Sequence, residues 1–564
     1  MKDKRPGPKA SFPTLRARLA HYLALGAVVG LGAWFRFADL GGAPLWFPDE
    51  CAAVGQADGF PRFPLVWDGV RHSFFPGQPL GLLAQSGAIR LWGRDLLSLR
   101  RLSALAGMAA LLAVYCIGLQ AGPPGLGLLA ALAFALHPLA INLCRMGLSE
   151  SLGAALSLWG VWGGLALMQS QRIRSRPAGA EAEARRGRPR GAAPGGSAVA
   201  ALGLMLAPFA ALSAVPNAVG FCLLGPGSRR RGLLMAGLYV AGLALALGLW
   251  SRFGAGGLYF EDFRMWLEQG GGLGVSGAAM FERLGQTLTE TGGVSTAGFG
   301  GWTILGAGGL LLLRRRCARR ALPALAALNL AFVAAISLAR EDLVLRHALP
   351  LLGLTSVGLA AAVLELGTLG ARQLGAQMQW MAQKLAAAPP FARRPNAEAS
   401  ACRAVRLAAL GAGLALAFLA GSHLAAPYIY GIPRAFRREM DREAIARTAE
   451  LYEARDWLAA RVGPDDLIVA EGLEWLMPGR TTSLFYAAAA SGALAPGRTP
   501  KDFGRRIVED IRLEKARYLV LHPAVNGLCR RVPELRRAIE PFLAQEPACS
   551  LGMIRIYASP SRGE

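Results

Sequence analysis

Apolar runs close to the length of a membrane span recur along this chain, and clusters of arginine often separate them. A transmembrane helix needs about 20 consecutive, mainly apolar residues, so each of these runs is a candidate span. The 564 residues are 53% hydrophobic, with a mean hydropathy of +0.35. A soluble protein of several domains is rarely so apolar. We therefore expect a polytopic α-helical membrane protein.

Matching the apolar runs to the charge of the intervening loops predicts about eleven spans. The runs at 214–228 and 299–313 are the shortest of them. The first run is too long for the apolar region of a signal peptide, and no cleavage site precedes Arg36, so we expect a retained first span. The predicted spans lie roughly at 19–37, 97–119, 124–143, 147–169, 197–213, 214–228, 232–251, 299–313, 321–339, 343–366 and 405–425.

Arginine-rich loops set the predicted orientation, because positive charge favours the cytoplasmic side. With a cytoplasmic N-terminus, four arginine-rich segments fall inside, at 172–190, 229–231, 314–320 and 372–406. Two cytoplasmic linkers, at 171–196 and 370–404, are rich in Ala, Pro, Gly and Arg, which is typical of flexible segments that face lipid headgroups. The first extracytoplasmic loop is then 38–96.

The tail changes character and predicts a separate unit. Residues 1–425 form the predicted membrane domain, and residues 426–564 form a soluble extracytoplasmic α/β domain. The stretch "ELYEARDWLAARVGPDDLIVA" reads as a helix, a turn and a buried strand, and "LEKARYLVLHP" and "GMIRIYAS" each end in a strand. Cys529 and Cys549 lie in this part, where they either pair or remain two buried thiols.

Composition excludes two other kinds of function. The net charge of +24 suggests nucleic-acid binding, but the basic clusters lie in short loops between apolar runs and lack interleaved aromatic residues. The eight cysteines show no CxxC or Cys/His spacing, which argues against a structural zinc site. We therefore expect no nucleic-acid partner and no cofactor. A divalent metal is an open alternative, but the first loop has no DxD motif and its acids Asp49 and Glu50 are adjacent, which favours a site without metal.

Charged residues gather at the predicted outer ends of the spans. Charge near the membrane core is costly, so such residues mark function or pair with one another. One acidic pair stands in the first loop, within "WFPDECA", about seven residues after the first span. The set comprises Arg36, Asp49, Glu50, Arg145, Glu150, Arg346 and His347.

The acidic pair has two compatible explanations. Asp49 and Glu50 precede an apolar-leaning segment, so they could cap a helix and place negative charge at its positive end. They could also supply a catalytic carboxylate. His137, followed by Pro138 within the third span, is more typical of a packed histidine at a helix kink than of a ligand.

The remaining charged residues also have structural explanations. Arg36 could anchor the first span by extending its guanidinium to the interface. Glu150 could cap a helix or pair with Arg145. Arg346 and His347 precede an apolar run and could anchor it at the interface.

The order of these elements resembles the GT-C membrane glycosyltransferases, in particular the aminoarabinose transferase and protein O-mannosyltransferase branches. The first span ends in arginine and is followed by the Asp-Glu loop and by "LWGRDLLSLRRLSAL", which looks like the family's entry into the second span. Then come "HPLAINLCRMGLSESLG" and, much later, "LRHALPLLGL". The resemblance is clearest over roughly residues 1–170 and at Leu345–Leu354, and the middle spans match the family only by their pattern.

The resemblance implies a polyprenyl-phosphate-linked sugar as donor and an active site beneath the first extracytoplasmic loop. Asp49 would be the catalytic carboxylate and Glu50 its neighbour. Arg346 would face the donor phosphate, although the family's aromatic residue at the next position is His347 here. Many relatives have an aspartate where this chain has Glu150.

Together these inferences predict an inverting glycosyltransferase of the bacterial inner membrane. Asp49 would remove the acceptor's proton, while Arg346, His347 and Arg145 would hold the phosphate. Glu150 and Arg36 would orient the acceptor, which is a lipid, a glycan or a protein. Two alternatives remain open: a transporter or lipid flippase, and a scaffold of the cell envelope without catalytic activity.

Overall fold

A computed structural model of the chain gives thirteen helices and seven strands in its described parts. The helices are α1 (Leu15–Phe37), α2 (Pro48–Gly59), α3 (Pro79–Trp92), α4 (Leu96–Ala121), α5 (Pro124–Leu136), α6 (Pro138–Arg145), α7 (Glu150–Arg174), α8 (Val215–Leu224), α9 (Trp302–Leu310), α10 (Arg316–Ala339), α11 (Leu349–Ala386), α12 (Thr448–Ala459) and α13 (Pro533–Leu543). The described residues are 15–41, 48–59, 65–67, 70–72, 79–174, 203, 206–207, 210–224, 278, 281–282, 302–339, 345–386, 448–470, 481–482, 516–522, 525 and 533–560.

Five of these helices are long and apolar enough to cross a membrane, at Ala17–Phe37, Leu96–Ala121, Glu150–Gln169, Cys317–Ile336 and Leu349–Leu369. Each coincides with a span predicted from the sequence. The predicted spans at 214–228 and 299–313 are helical as α8 and α9, but their described parts are short. The predicted spans at 197–213, 232–251 and 405–425, and the cytoplasmic linkers, lie largely or wholly outside the described residues.

The predicted span at 124–143 is broken rather than straight. Helices α5 and α6 meet at an angle of 67°, and together they would make a sixth span. Pro138 begins α6 and has no amide proton, so it cannot continue the hydrogen bonds of α5. The His137 ring caps α6 by accepting a hydrogen bond from the Ala140 amide at 3.4 Å. This confirms the kink expected at the His-Pro pair.

Helix α4 lies at the centre of the helical bundle and contacts α1, α3, α5, α6, α7 and α11.

Small residues permit close packing between α9 and α11. The backbone of α9 approaches that of α11 at Gly306, Gly309 and Gly358, where a β-carbon on any of the three would collide with a main-chain oxygen. Glycine is therefore required at this crossing, as at many helix contacts in membranes.

The described part of the tail contains a five-stranded sheet of β3 (Leu467–Ala470), β4 (Thr481–Thr482), β5 (Ala516–Leu521), β6 (Cys549–Leu551) and β7 (Ile554–Ala558). The strand order in the sheet is β4-β3-β5-β7-β6. Strand β3 runs parallel to β4 and β5, whereas β7 is antiparallel to both β5 and β6. The predicted helix and the three predicted strands are present as α12, β3, β5 and β7. Cys549 on β6 is a free thiol, and Cys529 lies outside the described residues.

The first loop contains its own secondary structure between α1 and α4. Helix α2 is followed by an antiparallel hairpin of β1 (Leu65–Trp67) and β2 (Val70–His72), and then by α3. Buried apolar residues of α2, α3 and the start of α4 share one core with the tail sheet. The loop is therefore packed between the helical bundle and the tail.

Candidate active site

Helix α2 carries the acidic pair of the first loop. It begins at Pro48, which suits the first position of a helix because its missing amide proton would have no partner there. Asp49 is the second helical residue and Glu50 the third, so the predicted helix start is confirmed. Negative charge at this end is favoured by the helix dipole. The side chain of Asp49 lies outside the described part of the structure, whereas that of Glu50 is fully buried.

Glu50 is held by Arg100 of α4 in a buried ion pair with two contacts. Arg100 donates from Nε to Oε1 at 3.0 Å and from Nη2 to Oε2 at 2.9 Å. Its Nη1 donates to the carbonyl oxygen of Leu40 at 2.8 Å. Both charged side chains have no solvent exposure. Because an unpaired charge there would be costly, the pair fixes the start of α2 against α4.

Glu50 also joins α2 to the turn between α6 and α7. The Gly147 amide donates to Oε1 of Glu50 at 2.5 Å. A β-carbon at Gly147 would lie 2.9 Å from the β-carbon of Leu99 and 3.3 Å from Oε1 of Glu50. Only glycine lets this turn approach Leu99 and Glu50 so closely. The turn lies between two predicted site residues, Arg145 and Glu150.

Arg36 points into the bundle and binds the broken end of α5. Its Nη2 donates to the carbonyl oxygen of Phe134 at 3.2 Å, and its Nη1 reaches the oxygen of Ala135 at 3.5 Å. In a continuous helix, the amide of residue 138 would bond to Phe134, but Pro138 has none. Arg36 instead donates the hydrogen bond to Phe134 and puts positive charge at the negative end of α5. The predicted interfacial anchor and acceptor-orienting roles do not match this fully buried position.

Arg145 forms the reciprocal contact at the end of α1. It donates from Nη1 to the carbonyl oxygen of Phe35 at 2.8 Å and from Nη2 to that of Asp39 at 2.6 Å. Asp39 has a φ of 51°, the left-handed conformation in which helices often end. Arg145 is fully buried. These contacts favour a helix-capping role over the phosphate contact expected from the sequence, because the guanidinium is already bonded to main-chain carbonyls.

Glu150 is the first residue of α7, and its side chain is buried. The helix dipole favours a carboxylate in this position. The next residue, Ser151, donates to the carbonyl oxygen of Leu143 at 3.1 Å and so ties α7 back to α6. Gly153 packs directly against Ala211. This contact places the chain around residue 211 beside the start of α7.

Arg346 and His347 lie in a short 3-10 turn, Leu345–Ala348, that leads into α11. That turn contacts a second one, Leu212–Ala214. The His347 ring is buried against Phe332 of α10, with the ring centroids 6.3 Å apart in an edge-on arrangement. The side chain of Arg346 is outside the described part of the structure. Its backbone nevertheless lies at the same end of the bundle as Glu150, because the turn at Leu212–Ala214 contacts both α7 and the Arg346 turn.

The structure thus brings the predicted site residues to one end of the helical bundle. They differ, however, in whether their side chains are already bonded within the protein. Glu50, Arg36 and Arg145 are fully buried and bonded within the protein. Asp49 and Arg346 lie on elements that reach the same end. Among the described residues, no three His, Cys, Asp or Glu side chains gather as metal ligands do.

Two contacts in this region could not be predicted from the sequence. The first is the ion pair between Arg100 and Glu50, two residues that lie 50 positions apart in the chain. Asp95 caps α4 by accepting a hydrogen bond from the Leu97 amide at 3.2 Å, and it also accepts one from the Tyr452 hydroxyl. An aspartate directly before an apolar run signals such a cap, whereas nothing in the sequence points to Tyr452.

Comparison with solved structures identifies the architecture. The chain matches no family model and no curated protein sequence. It is similar to ArnT from Cupriavidus metallidurans bound to undecaprenyl phosphate, with a TM-score of 0.57 and 14% identity, covering 97% of this chain and 100% of that one. The apo form of the same protein gives 0.53 and 15%, covering 96% and 99%.

An archaeal protein shares the architecture. The apo oligosaccharyltransferase of Archaeoglobus fulgidus matches with a TM-score of 0.51 and 14% identity, covering 90% of this chain and 70% of that one. At such low identity, these likenesses concern the fold. The chain has a GT-C-like fold.

Proposed function

We propose that this protein is an inverting glycosyltransferase that moves a sugar from a polyprenyl-phosphate donor to an acceptor at the outer face of a bacterial inner membrane. The observation that carries the proposal is the placement of α2. Its first turn holds Asp49 directly beside a buried Glu50–Arg100 pair, at the end of the bundle that also carries Arg346. The fold likeness to a protein bound to undecaprenyl phosphate supports this choice of donor.

In the proposed reaction, Asp49 acts as general base. Its carboxylate takes the proton from an acceptor hydroxyl or amine as that atom attacks the anomeric carbon. The bond between the anomeric carbon and the phosphate oxygen breaks on the opposite face, so the configuration inverts. The electron pair leaves with the polyprenyl phosphate, and the acceptor gains the sugar.

Glu50 takes a positioning role in this scheme. Both of its oxygens accept hydrogen bonds from Arg100, and one also accepts from Gly147. Both oxygens of this fully buried carboxylate are therefore already bonded within the protein. Its contribution is to fix the first turn of α2, and orienting a reactant within the active site is a major source of rate enhancement.

Arg346 is the proposed phosphate ligand. Departure of the lipid phosphate needs positive charge, and a guanidinium matches phosphate oxygens and stays charged. Arg36 and Arg145 are bonded to main-chain carbonyls at the ends of α5 and α1. Arg346 is therefore the favoured candidate in the predicted set, with His347 supporting its turn against Phe332.

The proposed reaction uses no metal ion. The two acids of the first loop are adjacent, and adjacent residues seldom direct both carboxylates to one ion. Glu50 is in addition already paired with Arg100. Transfer should therefore persist in excess EDTA, and restoration of a lost activity by added Mg²⁺ or Mn²⁺ would reject this part of the proposal.

The membrane placement is part of the same proposal. The N-terminus is cytoplasmic, residues 426–564 form an extracytoplasmic domain, and the acceptor is a lipid, a glycan or a protein. Membrane lipids surround the bundle.

The test uses purified full-length protein in nanodiscs with a panel of undecaprenyl-phosphate-linked hexoses and pentoses. We expect the wild type to transfer one of these sugars, and we expect Asp49→Asn to lower turnover at least about 100-fold, in line with the loss of a general base. Asp465→Asn, at an exposed aspartate of the tail, is the matched control and should retain turnover.

Three results would count against the proposal. Turnover like that of the wild type in Asp49→Asn would remove Asp49 from the role of base. Unchanged donor affinity in Arg346→Ala would move the phosphate site elsewhere. Bulk lipid flux in proteoliposomes without sugar transfer would indicate a transporter.

A further inference from the structure

An apolar core connects the tail sheet to the first loop. Two of its residues, Val54 and Ala57, come from α2 and are almost completely buried. Other members come from α3 and α4 and from the tail elements α12, β3, β5 and β7. The fully or nearly fully buried members include Leu82, Ile89, Leu96, Leu99, Leu451, Ala454, Leu458, Ile468, Val520, Ile554 and Ile556.

Helix α2 depends on this core for its position. It has only 12 residues, and an isolated helix of that length is marginal in water. Val54 and Ala57 are its buried apolar residues within the described part of the chain, and both belong to the core shared with the tail. The apolar face of α2 therefore packs in a core that the tail completes.

A polar contact reinforces the same junction. The hydroxyl of Tyr452 on α12 donates a hydrogen bond to Oδ1 of Asp95. Asp95 is also the N-cap of α4, because the same oxygen accepts from the Leu97 amide at 3.2 Å. Burial of the phenol, followed by its hydrogen bond to Asp95, raises the pKa of Tyr452, so the hydroxyl keeps its proton and acts as donor.

The start of α4 holds both ends of α2. Arg100 pairs with Glu50 at the beginning of α2, and Arg94 pairs with Asp58 near its end at 2.8 Å. Asp95 lies between these two arginines in the sequence. A displacement of Asp95 would therefore be transmitted to α2 through two ion pairs.

We propose that Tyr452 is a positioning residue for Asp49: by holding the N-cap of α4 through Asp95, the tail fixes α4 and, through it, the helix that carries the catalytic acid. The tail would thus serve the reaction from a distance. This inference rests on the proposed function for the role of Asp49, whereas the mechanical link from Tyr452 to α2 can be measured without any activity.

The first arm of the test measures hydrogen exchange of wild-type and Tyr452→Phe protein in nanodiscs. For Tyr452→Phe we expect amide exchange about tenfold faster in α2 and in the first turn of α4. Exchange in the second half of α4 should be unchanged, because exchange becomes faster only in segments that open locally. Tyr557→Phe makes the same chemical change on strand β7 of the tail and should leave amide exchange in α2 unchanged. Equal α2 protection in all three proteins would overturn the proposal.

The second arm measures kinetics with the sugar donor. In Tyr452→Phe we expect kcat to fall about tenfold while KM for the donor stays within twofold, because a small misplacement of the base affects the chemical step. A rise in donor KM with unchanged kcat would also overturn the positioning role.

A further variant guards against a simple folding defect. Asp95→Ser keeps an N-cap for α4 but removes the carboxylate that accepts from Tyr452, so it should reproduce the exchange and kcat effects of Tyr452→Phe. If Asp95→Ser behaved like the wild type, the Tyr452 contact would not be the link. A wild type without turnover would reject the proposed function, while the exchange result would still decide the mechanical link.

Discussion

Glu50 and Arg100 form a completely buried ion pair with two parallel contacts, at 3.0 and 2.9 Å, between the first loop and the second membrane helix. In the sequence, Glu50 looks like one half of a catalytic acid pair. In the structure, it is the residue that locks its neighbour Asp49 onto the bundle. The two adjacent carboxylates therefore have different physical tasks, because one is neutralised in the interior and the other stands at the start of the helix.

Replacing Glu50 by Gln should destabilise the protein by about 3–5 kcal/mol, because the charge of Arg100 would remain buried without a partner. Asp58→Asn removes the partly exposed ion pair between Asp58, on the same helix as Glu50, and Arg94. This change should lower stability by less than about 1 kcal/mol, since solvent screens that pair. Thermal unfolding in detergent would measure both. Equal unfolding temperatures for the two variants would contradict the structural role of Glu50.

Replacing Arg36 by Gln should lower stability by about 2 kcal/mol, because the carbonyl oxygens of Phe134 and Ala135 would lose a charged donor. Adding Pro138→Ala to this variant should recover part of the loss, because the new amide proton could bond to Phe134. Arg18→Gln, at an exposed site on the same helix, is the control and should have little effect. The idea fails if the second substitution adds to the damage.

Two neighbouring glycines of α9 should respond differently to alanine. A β-carbon at Gly309 would collide with the carbonyl of Gly358 on α11, whereas one at Gly308 would meet no atom within 4 Å. We expect Gly309→Ala to cost about 1–3 kcal/mol through overpacking. Gly308→Ala should be neutral or stabilising, because alanine favours helices over glycine. Thermal unfolding of the two single variants makes the comparison, and similar shifts would argue against the close crossing.

The Tyr452 contact should give stability a particular alkaline dependence. The pKa of Tyr452 is raised in the folded protein above its usual 10.0. The contribution of this group is therefore fully present below about pH 10 and is lost as the pH rises through the folded pKa. The stability difference between wild type and Tyr452→Phe should be constant from pH 7 to about 10 and then shrink. A difference that already falls at pH 8 would contradict this assignment.

Much of the fold could be predicted because it depends on local patterns. Apolar length identified the five long helices, and the His-Pro pair identified the bend between α5 and α6. Short strand-like stretches of the tail identified β3, β5 and β7. The acidic pair of Asp49 and Glu50 indicated the start of α2. These features arise from hydrogen bonding and burial within short segments, so their residues specify them directly.

The partners of the charged residues depended on tertiary structure. The sequence placed Arg36, Glu50 and Arg145 near one end of the bundle, but it did not reveal that Arg36 replaces a missing amide at Pro138 or that Arg100 neutralises Glu50. Nor did it connect Tyr452 to Asp95, which are separated by most of the chain. Folding alone brings such distant groups together, and a buried charge has to bind whichever donor or acceptor the packed helices place beside it.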